Sequence, residues 1–359
     1  MDDSLTIQSH TGPYTVRFRQ TVAEAAADIP RDRPVHVIID PRVAQLHGAA
    51  LKPLLDAARS VNIVEALEDN KSLEVVPQLV KKLTDAGIRR DHLLLGIGGG
   101  IIQDMTCFIA SILFRGMDWA LLPTTLLAQA DSCIGSKSSI NAAGIKNLVG
   151  NFYPPRQISI AAEFLGTLDS RDVRSGVGEM LKVHIIDGPA SHDSIAAAYD
   201  SLFADRAAML AFIRASLLIK QRIIELDEFD RGPRNVMNYG HSFGHAIEAA
   251  TDFAVPHGIA VTMGMDMANH VARRMGRLPD ADFARMHPVL RKNYTGYENV
   301  AVPLPSLLEA LSRDKKNVGT DLTLILPDAA SHIERVRVPA DAAFQESCRD
   351  FLENVRLGA

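Results

Sequence analysis

Cysteine is scarce: Cys107, Cys133 and Cys348 are the only three in 359 residues. Three scattered thiols do not make a disulfide framework in a chain this long, and a reducing cytoplasm fits them best. Basic charge is not in excess either. Lys and Arg number 38 against 43 Asp and Glu, a net charge of −5. The chain therefore lacks the cationic footprint with which a sequence-independent nucleic-acid binder displaces counterions. Long apolar runs are missing too. The stretch Met105 to Phe114 is about half of the roughly 20 residues that a bilayer span requires. At the N-terminus, MDDSLTIQSH carries two acids where a secretory leader carries positive charge. Repeats, low-complexity tracts and Pro/Ser-rich linkers do not occur. What remains is a cytoplasmic globular protein with neither a nucleic-acid nor a membrane partner. At about 100–200 residues per domain, its length suggests two domains.

The two halves read differently. Up to about residue 165, short β-branched runs alternate with helical patterns: VHVII (Val35 to Ile39), a helix around Pro53 to Arg59, NIVEAL, and a helix near Leu73 to Ala86. The next strands are LLLGI (Leu93 to Ile97), WALLP (Trp119 to Pro123) and QISI (Gln157 to Ile160). Strands separated by helical stretches of this length point to βαβ units and a parallel sheet. Beyond residue 166 helical spacing dominates, in Asp205 to Leu226, Asn235 to Ala250 and Ala260 to Met275; LTLILP (Leu322 to Pro327) is a late strand. The expected architecture is a Rossmann-like parallel-sheet domain over residues 1–165 and a mostly α-helical domain over 166–359. Any site is expected in the cleft between them.

Three local patterns carry chemistry. After LLLGI comes Gly96-Ile97-Gly98-Gly99-Gly100, with a helix opening at Ile101 and Asp104 just beyond. Glycines at a strand-to-helix turn let backbone amides approach a pyrophosphate, although a bare turn needing positive φ has the same composition. Asp104 suits a ribose or substrate hydroxyl, or equally the dipole of the helix. Next, Pro123 to Pro155 reads as a long polar loop holding Thr124, Thr125, Asp131, Ser132, Lys137, Ser138, Asn141, Lys146 and Asn147. Loops of that length are usually functional, and the lysines suit a phosphate or carboxylate.

The third pattern is RNVMNYGHSFGHAIE, Arg234 to Glu248. On one helix Arg234, Asn238, His241 and His245 would share a face, a stripe that a core helix would fill with Leu or Ile. The two histidines at i, i+4 could bind one metal ion together, or one could be a ligand and the other an acid/base. VPHG supplies His257 as another ligand, and SGVGEMLKVHII supplies Glu179, with Lys182 on the same helix face. A Glu–His–His set with an open position is what a catalytic zinc ion prefers.

Together these strings resemble the 3-dehydroquinate synthases and the wider sugar phosphate cyclases, over roughly Val35 to Pro327. The motifs are GGG with Asp104, FRG at Phe114 to Gly116, PTTLLAQADS, the turn at Lys137, GIKNLVG, the Glu179/Lys182 pair, RNVMNYGHSFGHAIE, PHG, and DKK at Asp314 to Lys316. The resemblance implies an NAD+ site built from Asp40, Glu68, Lys71, Gly98, Gly99, Gly100, Asp104, Thr124, Thr125 and Lys146. It implies Zn²⁺, with Co²⁺ as a possible substitute, on Glu179, His241 and His257. His245 would be the neighbouring acid/base, joined in catalysis by Lys137, Lys182 and Asp131. Asp131, Lys137, Lys146, Asn147, Lys182, Lys220, Arg234, Asn238 and Lys316 (or Lys315) would grip the substrate. Arg115 would reach the partner's phosphate site across a homodimer.

The implied reaction turns a C7 keto-acid sugar phosphate into 3-dehydroquinate and phosphate. Its steps are transient oxidation by NAD+, phosphate elimination, re-reduction and intramolecular aldol closure. Some positions depart from the family pattern. Ile259 follows His257-Gly258 where Glu is common, Ser136 and Ser138 flank Lys137, Gln103 and Cys107 replace small glycines, and Asp230 stands in for Glu. These departures bear on the substrate more than on the chemistry, leaving 2-deoxy-scyllo-inosose or valiolone-type cyclisation as the alternative. Arg234 favours a carboxylate-bearing substrate, because its guanidinium matches a carboxylate in two-pronged fashion. A metal- and NAD-dependent polyol dehydrogenase and an inactive scaffold are the remaining readings.

Overall fold

The computed structural model describes residues 4–314, 317 and 321–358. Two compact units result: the first runs to Asp169 and takes back Lys220–Asp230, and the second holds Ser170–Ile219 and the chain from Arg231 onward. A division at residue 165 or 166 makes no allowance for the returning segment.

The first unit contains β1 (Ser4–Ile7), β2 (Tyr14–Arg19), α1 (Val22–Ala27), β3 (Val35–Ile39), α2 (Pro41–Ala57), β4 (Ser60–Ile63), α3 (Val76–Asp85), β5 (Leu93–Gly98), α4 (Gly100–Ile112), β6 (Trp119–Pro123), β7 (Lys137–Ala142), β8 (Ile145–Phe152) and β9 (Gln157–Ala161). Seven strands form one sheet in the order β1-β2-β9-β6-β5-β3-β4. Only the β1–β2 pair is antiparallel. Strands β3, β5 and β6 are buried along their whole length, as befits a parallel sheet covered on both faces. Their core side chains include Val37, Ile39, Leu95, Ile97 and Leu122.

The chain goes from β3 to one side (β4) and then returns to the other (β5). The carboxyl ends of β3 and β5 thus flank a topological switch point, the place where open α/β sheets bind ligands. Asp40 lies directly after β3, and the glycine run closes β5.

The polar stretch expected to be a loop is largely structured. A π-helical turn, Ala128–Ser132, leads to the β7–β8 hairpin. In β7 the residues Ser138, Ile140 and Ala142 point inward, while Lys137, Ser139 and Asn141 occupy the other face. Ala143 and Gly144 both have positive φ, the backbone that a two-residue hairpin turn demands.

The second unit contains α5 (Ser170–Asp187), α6 (Pro189–Ala204), α7 (Arg206–Leu226, whose last turns belong to the first unit), α8 (His241–Ala250), α9 (His257–Arg274), α10 (Asp280–Asn293), α11 (Leu304–Ser312), β10 (Asp321–Pro327), β11 (Ile333–Pro339) and α12 (Ala342–Glu353). Helix α9 is its axis, buried from Gly258 to Ala272 and packed against α5, α8, α10 and α12. Among the described residues, no helix is long and apolar enough to cross a membrane.

Candidate functional site

In the second unit, glycines decide which side chains meet. A Cβ on Gly178 of α5 would overlap the Gly258 carbonyl of α9, and one on Gly258 would overlap the Ser175 carbonyl. The two backbones therefore touch, and the neighbours of these glycines, Glu179 and His257, are brought face to face. Gly264 of α9 has the same relation to Gly240 and Gly244, which seats the start of α8 on α9. Gly240 adopts φ +77°, a left-handed conformation that costs a residue without Cβ little. This turn corrects the expectation of a four-residue helical stripe. Arg234 and Asn238 lie in a separate 3₁₀ turn, Pro233–Asn238, and only His241 and His245 share α8.

The result is a cluster of one carboxylate and three imidazoles. Glu179 Oε1 lies 3.3 Å from Nε2 of His257 and 3.7 Å from Nε2 of His241. Ligand atoms of His241, His245 and His257 also lie within 4.8 Å of one another. Two possible triads thus share His241 and His257. His245 is the exposed member, whereas Glu179 is 2% exposed. Lys182 Nζ approaches Glu179 Oε2 at 2.6 Å, yet neither oxygen of that carboxylate accepts a hydrogen bond. Burying a charge in this way is costly unless cations or donors compensate it. A divalent cation facing Oε1 and the two Nε2 atoms would supply that compensation, so the donor set fits a metal ion.

Titration behaviour agrees at Glu179 and His241. Burial raises the Glu179 carboxyl, but Lys182 and the two neighbouring histidines outweigh it and hold the pKa well below the usual carboxylate range. Burial drives His241 well below the usual histidine value, keeping it neutral, as a metal ligand must be. His257 differs: burial lowers it, but Glu179 and Glu248 outweigh that and raise it to about 10, so a metal ion binding at this ring would displace a proton.

In the first unit, Gly98, Gly99 and Gly100 are at the mouth of the switch point, and none has positive φ. Their smallness serves packing: a Cβ on Gly98 would meet Ile102 at 2.5 Å, and one on Gly99 would meet Thr125 at 2.8 Å, while Gly100 faces open space. Asp40 caps α2, accepting from the amides of Arg42 (2.7 Å) and Val43 (3.3 Å). Thr124 is buried and donates its amide to the Gly98 carbonyl; Thr125 Oγ1 accepts from Ala128 N at 3.2 Å.

Lys71 Nζ reaches Asn147 Oδ1 at 2.8 Å, Asp104 Oδ2 at 3.3 Å and Glu68 Oε1 at 3.5 Å. Ser139 donates to Asp104 and Asn141 to Glu68. Burial pushes the Asp104 carboxyl up to about 6 against the pull of Lys71. Ser139 and Asn141 had no place in the expected NAD site; their signal was their alternation in β7. Lys220 Nζ holds Asp131 by carboxylate and carbonyl, both at 2.6 Å. Lys137 pairs with Asp230 at 2.9 Å. Lys146 is exposed on β8. Arg115 is exposed in a turn where Phe114, Arg115 and Gly116 all have positive φ, the kind of backbone strain that functional sites retain. Lys315 and Lys316 lie outside the described residues.

Known structures share this fold. A 2-deoxy-scyllo-inosose synthase complexed with carbaglucose-6-phosphate, NAD+ and Co²⁺ matches with a TM-score of 0.84 and 24% identity, covering 97% of this chain and 99% of that one. The 2-epi-5-epi-valiolone synthase of Streptomyces hygroscopicus subsp. jinggangensis, solved with NAD+ and Zn²⁺, matches at 0.82 and 24%, covering 95% and 97%. The fold is therefore that of the sugar phosphate cyclases. In sequence, family models described as 3-dehydroquinate synthase N-terminal and C-terminal match residues 61–175 and 176–317. The 3-dehydroquinate synthase of Natranaerobius thermophilus is 36% identical over 88% of both chains. This chain belongs to the 3-dehydroquinate synthase family.

Proposed function

We propose that the chain is a cytoplasmic, homodimeric cyclase that turns the C7 keto-acid sugar phosphate (DAHP) into 3-dehydroquinate and phosphate, using and regenerating NAD+. The observation that carries this reading is the buried Glu179 carboxylate, without a hydrogen bond, facing Nε2 of His241 and His257 in a chain of this family. Zn²⁺ is held by Glu179, His241 and His257. When bound, the metal supplies Lewis acidity toward a substrate hydroxyl and NAD+ supplies a reversible hydride acceptor.

The chain's own residues do the rest. His245, the exposed histidine of the cluster, moves protons at a ring nitrogen. Asp40, Glu68, Lys71, Gly98–Gly100, Asp104, Thr124, Thr125 and Lys146 hold the dinucleotide at the switch point. Asp131, Lys137, Lys146, Asn147, Lys182, Lys220, Arg234 and Asn238 hold the substrate's carboxylate, phosphate and hydroxyls. Lys315 or Lys316 is assigned to the substrate with them. Arg115, on its strained turn, completes the partner's phosphate site.

Phosphate release is the test. It is measured with the C7 keto-acid phosphate, sedoheptulose 7-phosphate and glucose 6-phosphate in turn. The reading requires release with the first and no lasting change in nicotinamide absorbance. Preference for either of the other two would make the chain a cyclase of the inosose or valiolone type. Lasting NADH formation from simple polyols would make it a dehydrogenase.

A further inference from the structure

Glu248 has no part in the chemistry described so far. It lies on α8, seven residues after His241, and its side chain is buried. Among the described residues its carboxylate has one partner, Nδ1 of His257, at 3.3 Å from both oxygens. Nε2 of the same ring faces Glu179. His241 repeats the arrangement. Its Nδ1 lies 3.2 Å from the main-chain carbonyl of Tyr239 and its Nε2 faces Glu179. The phenol of Tyr239 is itself buried and bonded to Asn269 of α9, which fixes that carbonyl. Both rings therefore turn their Nδ1 atoms toward outer acceptors and their Nε2 atoms toward one point.

We infer that Glu248 and the Tyr239 carbonyl are positioning groups for the metal: they accept hydrogen bonds from Nδ1–H of His257 and His241 and so leave Nε2 of each ring as the ligand atom. A neutral imidazole carries one N–H, and an acceptor on one nitrogen fixes the tautomer and ring plane for the other. Glu248 also faces its histidine with a full negative charge, which makes the ring a stronger donor to a cation. The inference rests on the metal site proposed above and adds residues that do not touch the ion.

The test uses the full-length protein stripped of metal. Affinity for Co²⁺ and Zn²⁺ is measured by chelator competition, and the visible spectrum of the Co²⁺ form is recorded. Glu248→Ala should weaken metal binding about 10–100-fold and alter the Co²⁺ spectrum. Glu248→Gln keeps an acceptor oxygen but loses the charge, so it should show a smaller loss with the wild-type spectrum. Thermal unfolding of the metal-free forms identifies a folding defect in Glu248→Ala, in which case the isosteric Gln variant decides. Wild-type affinity and spectrum in both variants would overturn the inference while leaving the metal site standing. Failure of the wild-type chain to bind either ion would overturn both.

Discussion

Glu179 is the residue on which metal and fold make opposite demands. Its carboxylate is buried beside Lys182 and two histidines, which hold it ionised despite its burial. Glu179→Gln keeps the volume and removes the charge. Zinc retained after dialysis should fall at least tenfold, because a neutral amide is a weaker zinc ligand than a carboxylate. Elemental analysis of the purified variant gives the answer, and full occupancy would remove Glu179 from the ligand set. His245 makes the opposite prediction. As a proton carrier rather than a ligand, it can be replaced by Ala with zinc content unchanged while kcat falls roughly 10²–10⁴-fold. A variant that lost its zinc would show the three-histidine set to be the true one. Arg115 can be examined by complementation. Arg115→Ala and His245→Ala each impair activity, and subunits mixed and re-associated should regain part of it if the arginine serves the neighbouring site. No recovery in a dimer shown to exchange subunits would end the cross-subunit role.

At the scale of elements, the convergence of the cluster depends on α5 and α9 touching through Gly178 and Gly258. Gly258→Ala puts a methyl group into the Ser175 carbonyl, and backbone cannot give way as a flexible side chain can. Overpacking of this kind costs about 1–3 kcal/mol, and separating the helices also moves Glu179 away from His257. Chemical denaturation and metal affinity should therefore both worsen in Gly258→Ala. A variant that lost stability but kept full metal affinity would show that the crossing does not set the cluster. These glycines also explain what was legible in the sequence. The side-chain types of the cluster were readable because imidazoles and an acid interrupt helical patterns that would otherwise be apolar. Their separation by turns was not, since a 3.6-residue period continues across Tyr239 and Gly240 as if the helix did. The β7–β8 hairpin was hidden for a different reason. Of its inward residues Ser138, Ile140 and Ala142 only the isoleucine is large and apolar, too little to stand out, and its turn is Ala-Gly rather than Asn-Gly. The parallel strands were plain because burial on both faces makes them continuous apolar runs. Strands β1, β2 and β11 are buried at only some of their positions and so present no such run.

Across the whole molecule, each unit carries a histidine outside the cluster that is held neutral. In the first, His36 is fully buried, with Nδ1 2.8 Å from Ser60 Oγ and Nε2 3.0 Å from His92 Nδ1. His92 Nδ1 also accepts the Arg89 amide, so His36 is the donor between the rings and its own Nδ1 accepts from Ser60. Burial, then His92 and Arg59, depress its pKa to about 4; no carboxylate opposes them. In the second unit His184 is also brought to about 4, chiefly by burial and against the attraction of Asp187. Unfolded, both titrate near 6.5. Between pH 6.5 and 4 the unfolded chain therefore binds more protons than the folded one, and stability declines as pH drops through that interval. The stabilisation is fully present above pH 6.5. By pH 4 the loss reaches about 3 kcal/mol per histidine at most. Unfolding midpoints of the metal-free protein, taken from pH 7.5 down to 5, should fall steadily. The double variant His36→Gln/His184→Gln removes both titrations, so its midpoints should fall less steeply. The metal-free form matters here because proton competition at the zinc ligands would otherwise contribute a slope of its own. An identical slope in the double variant would mean that neither histidine is kept neutral by the fold.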